Sequence, residues 1–251
     1  MVKIIDSNVH LGISAYGEKQ STRQSLKLMD KFGIEASIVS TFTPPDMSFE
    51  DANRAVEKAV RQDPKRFRGA ARIDPRISGS SGIIKKFLKK KAFVCVYLNP
   101  FEQAFKVNGS IAAPSFEIAE ELDSPVIVES GYPIVSLPLQ VAEVARKFRK
   151  VKIVMAHSGQ LLASGQSESD AIYAISENSN VYCDTSQLIL SGLGGFIEQL
   201  VGKGLGKRII FGSNSPYGEL SLELMRVEKA NISEKEKQAI LSENARELFG
   251  I

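Results

Sequence analysis

The stretch STRQSLKLMDKFGIEASIVS, residues 21–40, holds one full period of the pattern that organises this chain. Ser21 suits a helix N-cap, apolar residues follow at three-four spacing, and Gly33 is placed to end the helix. Directly after it, ASIVS at 36–40 is an apolar run of strand length. Working outward, strand-like runs recur at 2–6, 67–73, 93–98, 125–129, 151–156, 180–184 and 208–212. Each is followed by a stretch of helical periodicity, as at 51–63, which ends just before Pro64, and at 136–148, where Ser136 suits an N-cap. Eight strand-helix units in 251 residues fit a closed (β/α)8 TIM barrel, read as one domain over 1–251. The same alternation suits a doubly wound open sheet, but no Gly-rich fingerprint follows the first strand. The tail at 233–251 reads as two short closing helices.

Composition narrows the function classes. The chain has 32 basic and 29 acidic residues, a net charge of +3, which is too even to indicate nucleic acid as a partner. The run KKFLKKK at 85–91 is broken by Phe87 and Leu88 at helical spacing and reads as a solvated helix face. The Gly-rich stretch at 191–206 lacks the Lys-Ser/Thr of a phosphate loop and reads as a loop with a helix. No run approaches the ~20 apolar residues of a membrane span, so no membrane partner is expected. The N-terminus has no signal-peptide pattern, and Cys95 and Cys183 both lie in apolar strand runs. The expectation is a cytoplasmic protein with reduced, unreactive thiols.

If the chain is a barrel, its chemistry sits at the carboxyl ends of the strands. Those ends carry Asn8 and His10, Tyr97 and Asn99, Glu129, His157, Asp184 and Ser186, and Asn214. Asn8 and His10 are two apart and share one face of a strand. By the same parity, Ile153, Met155 and His157 form one row and Ile210, Gly212 and Asn214 another, so each polar residue is expected to continue an inward row. The protein has two histidines, and both fall at strand ends. Glu129 closes the apolar run PVIVE, where a carboxylate is costly to bury alone. Two accounts stand for it: a salt bridge to Arg72 or another base at the mouth, or a role as metal ligand or acid-base group. Arg72 itself is placed either to clamp a carboxylate or to form a structural ion pair. The segments at 40–51, 99–110 and 158–169 are candidate substrate loops.

Taken together, these segments resemble the amidohydrolase superfamily, in particular its decarboxylase-like, amidohydrolase-related branch. IIDSNVHLG (4–12) is similar to the family's opening Asp-x-His-x-His segment, and RGAARIDP (68–75) and AFVCVYLNP (92–100) to its third and fourth strands. SPVIVESGYP (124–133), VKIVMAHSGQ (151–160) and RIIFGSNSPYG (208–218) resemble the fifth, sixth and eighth, and ENARELFGI (243–251) the family's ending. The resemblance implies a divalent metal at the mouth, zinc by preference, which activates water or polarises substrate. Carried over, His10 and His157 match metal-ligand positions. Asn8 stands where the first histidine is expected, Glu129 where the fifth-strand histidine is expected, and Asn214 where an aspartate is expected to move protons.

The departures change the chemistry. An amide is a weaker zinc ligand than imidazole, whereas His10, His157 and Glu129 form a His2Glu set of the kind found in catalytic zinc sites. Asn214 cannot take up a proton near neutral pH, which leaves Glu129 or Asp184 as replacement bases. Three readings follow. The first is a metal-dependent hydrolase, or alternatively a decarboxylase, with His10, His157 and Glu129 as ligands. The second is a metal-free site using Glu129 and His157 as an acid-base pair, with Asn8 and Asn214 orienting substrate. The third is a catalytically silent barrel kept for ligand binding or assembly. A small carboxylated, ester or amide molecule is the expected ligand, with Arg72, Tyr97 and Asn99 among its contacts, and self-association is open.

Overall fold

The computed structural model describes residues 3–160, 164–188 and 194–251. The chain begins with β1 (Ile4–Ile13), a short β2 (Lys19–Gln20), α1 (Thr22–Phe32), β3 (Ile34–Thr41), α2 (Phe49–Gln62) and β4 (Phe67–Arg72). It continues through α3 (Ser80–Leu88), β5 (Phe93–Leu98), α4 (Ala113–Glu121), β6 (Val126–Val128), α5 (Pro138–Lys147) and β7 (Ile153–Met155). The last part comprises α6 (Ser164–Glu177), β8 (Val181–Asp184), α7 (Gly195–Gly202), β9 (Ile209–Ile210), α8 (Leu220–Lys229), α9 (Glu234–Gln238) and α10 (Asn244–Phe249).

The quoted stretch folds as read. Ser21 and Gln24 form a capping box at the start of α1, and Gly33 ends the helix with φ 70°. At the start of α5 the cap is Leu137 rather than Ser136, whose hydroxyl is buried without a partner among the described residues. Pro138 accounts for the shift, since proline occupies the first helical turn readily and fixes the entry of the chain.

The strands lie in the order β2-β1-β3-β4-β5-β6-β7-β8-β9, parallel throughout except for β2, which pairs antiparallel with β1. Ends β9 and β1 meet: Ser7 N donates to Phe211 O at 2.9 Å, His10 N donates to Ser215 O at 2.8 Å, and Val9 bridges Ser215. The result is a TIM barrel. Its interior is filled by one buried cluster that includes Ile5, Ile38, Ala70, Cys95, Ile127, Val154 and Ile210, with Leu248 and Phe249 of α10 packed against it. A second, larger cluster joins the outer face of the sheet to the helices. Cys95 and Cys183 are buried and unpaired, and burial pushes both thiols up, Cys183 to about 12. Among the described residues no helix is long and apolar enough to cross a membrane.

Two local distortions decide where the polar strand ends point. Pairing of β1 with β3 slips between Asp6 and Val9, so Ile5 belongs to the inner cluster while Asn8 and His10 reach the inward side farther along. Asp6 holds this slip: its carboxylate accepts from Asn8 N at 3.2 Å, Ser213 N at 2.9 Å and Ser213 Oγ at 2.6 Å. In β7 the parity expectation fails. Val154 and Ala156 line the interior, whereas Ile153 and Met155 face the helices. His157 nonetheless enters the mouth because His157 and Ser158 adopt φ 58° and 49°, which turns the chain inward just beyond the strand. Gly159 completes this turn at φ 72°, where a Cβ would lie 2.7 Å from Cγ of Pro138.

Candidate active site

Seven of the residues singled out from the sequence converge at the carboxyl end of the barrel. They are Asn8 and His10 of β1, Tyr97 of β5, Glu129 after β6, His157 after β7, Asp184 of β8 and Asn214 after β9, all buried. Arg72 and Asn99 lie at its side. Arg72 donates to Thr41 O and Thr43 Oγ1, each at 2.8 Å, and pairs with Glu102, so its bridge is to the β5–α4 loop and not to Glu129. Asn99 accepts from Glu102 N at 3.0 Å and thereby holds that loop. The Arg72 guanidinium lies 5.4 Å from the Tyr97 ring centroid, and the Tyr97 hydroxyl donates to Glu129.

The partners of His157 point to a charged ring. Its Nε2 lies 2.8 Å from Glu129 Oε1 and its Nδ1 lies 2.9 Å from Ser186 Oγ. Ser186 has one hydroxyl proton and donates it to Asp184 Oδ1 at 2.6 Å, so it accepts from His157 Nδ1. Asp184 Oδ1 is an acceptor here, since it also receives the backbone N–H of His157 at 2.8 Å and of Ser186 at 3.0 Å. Both ring nitrogens of His157 therefore carry protons. Burial opposes this charge, but the adjacent, hydrogen-bonded Glu129 carboxylate outweighs it and lifts His157 to about 9. Burial would likewise raise Glu129, yet His157 and the Tyr97 hydroxyl that donates to it bring Glu129 down to about 2. Burial raises Asp184 as well, against the pull of His157.

His10 is held in the opposite state. Its Nε2 lies 2.8 Å from Asn214 Oδ1, and Asn214 is oriented by donating Nδ2 to Gln187 Oε1 at 2.8 Å. Nε2 is thus the protonated nitrogen, and Nδ1 accepts from Ser40 Oγ at 2.8 Å. Rings of Tyr97, Phe42 and Tyr217 stand 5.4, 5.6 and 5.7 Å away and keep water from the imidazole. That burial drives His10 down to about 4, overcoming the attraction of Glu129. Asn8 donates Nδ2 to Asp184 Oδ2 at 3.1 Å, while its buried Oδ1 has no partner among the described residues. The sequence did not single out Ser40, Gln187, Phe42, Tyr217 or Glu102. A groove of about 740 Å3 between the β1–β2 hairpin, α1 and α2 is lined by none of these groups.

The family resemblance implies a metal, and the donors can be tested against it. A metal takes the lone pair of a neutral imidazole. Here both His157 nitrogens are engaged, by Glu129 and Ser186, and both His10 nitrogens are engaged, by Asn214 and Ser40. Both Glu129 oxygens already accept, from His157 and from Tyr97. Among the described residues no group of three or more His, Cys, Asp or Glu is arranged to hold a metal ion. In this hydrogen-bonded arrangement the donor set does not fit the metal.

Comparison with known proteins places the chain. It is 24% identical over 281 aligned residues to gamma-resorcylate decarboxylase of Polaromonas sp. (strain JS666 / ATCC BAA-500), covering 89% of this chain and 86% of that protein. A dihydroxybenzoic acid decarboxylase from Polaromonas sp. JS666, solved with manganese and 2-nitroresorcinol, matches with a TM-score of 0.75 at 17% identity over 100% of this chain and 97% of that one. A structure from Acinetobacter baumannii assigned as a 2-pyrone-4,6-dicarboxylic acid hydrolase, with citric acid bound, gives a TM-score of 0.75 at 16% identity, covering 99% and 100%. These likenesses span the barrel, and the family model for amidohydrolase matches residues 14–251. The chain belongs to the amidohydrolase family.

Proposed function

We propose that the mouth of this barrel is a metal-independent hydrolytic site for a small ester or lactone that carries a carboxylate. The observation that carries this reading is the different partnering of two imidazoles in one mouth: His10 lies between Ser40 and Asn214, with no carboxylate on its ring, and His157 lies between the Glu129 carboxylate and Ser186. Two titratable groups driven apart in this way supply a base and an acid at the same pH. His10 offers the Nδ1 lone pair as base, and Asn214 accepts the Nε2 proton so that this tautomer persists. His157 offers positive charge and a proton to the developing oxyanion and leaving group, held in place by Glu129, Ser186 and Asp184. Asn8 Oδ1 is a free acceptor for a hydroxyl or bound water of the substrate complex. A relative solved with citric acid supports a carboxylated ligand.

Decarboxylation is the second reading, favoured by the relation to gamma-resorcylate decarboxylase. His157 serves it as well, because an imidazolium can return a proton to the carbon that loses carbon dioxide. That reaction needs no base, so it predicts activity that survives replacement of His10, whereas hydrolysis predicts its loss.

The test is metal content together with turnover. Protein purified without chelator and then offered zinc or manganese is expected to retain well under one equivalent by plasma mass spectrometry. Its turnover of small aryl esters and lactones is expected to be unchanged by chelator. One equivalent retained, with turnover lost on chelation, would overturn the metal-independent reading.

A further inference from the structure

The geometry points to Ser40 as a nucleophile that forms a covalent acyl-enzyme with the ester or lactone substrate. This rests on the hydrolytic reading above and replaces direct attack by water with a two-step transfer.

Ser40 ends the inward row Ala36, Ile38, Ser40 of β3, and its side chain lies at the mouth beside His10. Ser40 Oγ to His10 Nδ1 is 2.8 Å and His10 Nε2 to Asn214 Oδ1 is 2.8 Å. Nucleophile, base and orienting acceptor are therefore in line, each within the ~2.6–3.2 Å reach that activation of a hydroxyl requires. The alternative acceptor for the Ser40 proton, Thr41 O, is at 3.4 Å and is the weaker partner.

The other hydroxyls around the mouth are used differently. Ser186 also touches an imidazole, but its proton goes to Asp184 at 2.6 Å, so it serves His157 as an acceptor. Ser158 donates to Asp184 O at 2.7 Å, and Ser213 to Asp6 Oδ2 at 2.6 Å. Among the described residues, Ser40 is the mouth hydroxyl whose proton is taken by an imidazole lone pair. Asn214 differs from an aspartate in this array by lacking charge, yet its orientation by Gln187 still presents oxygen to the imidazole. The correct tautomer is thereby retained, and what is lost is stabilisation of the imidazolium that forms.

In the first step the Ser40 oxygen attacks the acyl carbon while His10 Nδ1 takes the hydroxyl proton. The bond from acyl carbon to the leaving oxygen then breaks as His157 gives a proton to that oxygen. In the second step the now neutral His157 takes a proton from water, hydroxide adds to the acyl carbon, and the Ser40 ester bond breaks as His10 returns its proton to Ser40 Oγ. Carboxylic acid and alcohol are released, and the enzyme is unchanged.

The full chain is treated with diisopropyl fluorophosphate in the presence of chelator. Ser40 oxygen bonds to phosphorus, the phosphorus–fluorine bond breaks, and the proton leaves through His10. One adduct is expected, mapped by peptide mass spectrometry to Ser40 and missing in Ser40→Ala. His10→Gln is expected to abolish labelling, with circular dichroism confirming that the fold is kept. No adduct at Ser40 in the folded wild type, or a rate the same in His10→Gln, would overturn the proposal. Hydrolysis of 4-nitrophenyl acetate separates the two readings. If Ser40→Ala turns over at the wild-type rate, the nucleophile is water and the hydrolytic reading stands without Ser40. If Ser40 labels but no ester is turned over, Ser40 stands as the reactive hydroxyl and the hydrolytic reading falls.

Discussion

A Glu129→Met variant is expected to lose about 3–5 kcal/mol of folding stability in mildly acidic buffer, because it removes one partner of a buried ion pair and strands the other. His157 would lose the carboxylate on Nε2, and the Tyr97 hydroxyl would lose its acceptor, both at buried positions. Glu129→Gln is expected to cost less. The amide oxygen can still accept from Tyr97, and its NH2 can donate to His157 once the imidazole gives up a proton. The pH dependence carries the sign. His157 is raised from 6.5 to about 9, so its share of stability is complete below 6.5 and is lost as pH rises through about 9. Glu129 is lowered from 4.5 to about 2, so its share is present above 4.5 and is lost as pH falls through about 2. The gap between wild type and Glu129→Met should therefore be widest between 4.5 and 6.5 and should narrow above about 9. Urea unfolding across this range measures it. A gap that does not change with pH would mean that Glu129 and His157 are not an ion pair.

The legible part of this molecule is the part set by periodicity. The alternation that begins in residues 21–40 fixes the helices and strands because each apolar face must be buried, and that need is written locally. The strand-end polar residues were legible for the same reason, since a barrel places them at one mouth. Their connections were not. The parity of Ile153, Met155 and His157 gives the wrong face for the first two, because the sequence does not reveal that His157 and Ser158 adopt positive φ. Arg72 looked a natural partner for Glu129, but Glu102, from a loop thirty residues on, takes the guanidinium, and Glu129 pairs with His157 instead. Gln187 carries no signal at all, since its effect on His10 passes through Asn214 across two different loops. Ser40 did leave a signal. It closes the inward row of the best-read strand, and extending the parity argument to β3 would have placed it beside His10.

The asparagines at 8 and 214 take on a different meaning once the protons are counted. Read one at a time, each weakens a metal site or removes a base. Read together, they build a site with its own logic. Asn214 keeps a proton on His10 Nε2, and Asn8 ties Asp184 into the network that charges His157. A carboxylate at 214 would favour a charged His10 and bring the two imidazoles toward the same state. The neutral amide keeps them apart, which is what an acid and a base in one mouth require.

That separation predicts a bell-shaped profile of kcat/KM against pH with limbs near 4 and 9. His10 must be neutral to act as base, so activity should fall as pH drops through about 4 and protonates it. His157 must be charged to act as acid, so activity should fall as pH rises through about 9 and removes its proton. Each limb should decline about tenfold per pH unit, the signature of a single proton, with a plateau several units wide between them. His157→Gln keeps a donor for Glu129 but cannot protonate a leaving group, and is expected to lower kcat/KM by about 10²–10⁴-fold and to erase the alkaline limb. His10→Gln is expected to erase the acid limb by the same reasoning. Hydrolysis of 4-nitrophenyl acetate over the full range, corrected for the spontaneous rate, gives both limbs in one experiment. Two limbs crowded near 6.5, the ordinary histidine value, would show that neither imidazole feels the environment described, and the assignment of base and acid would fail.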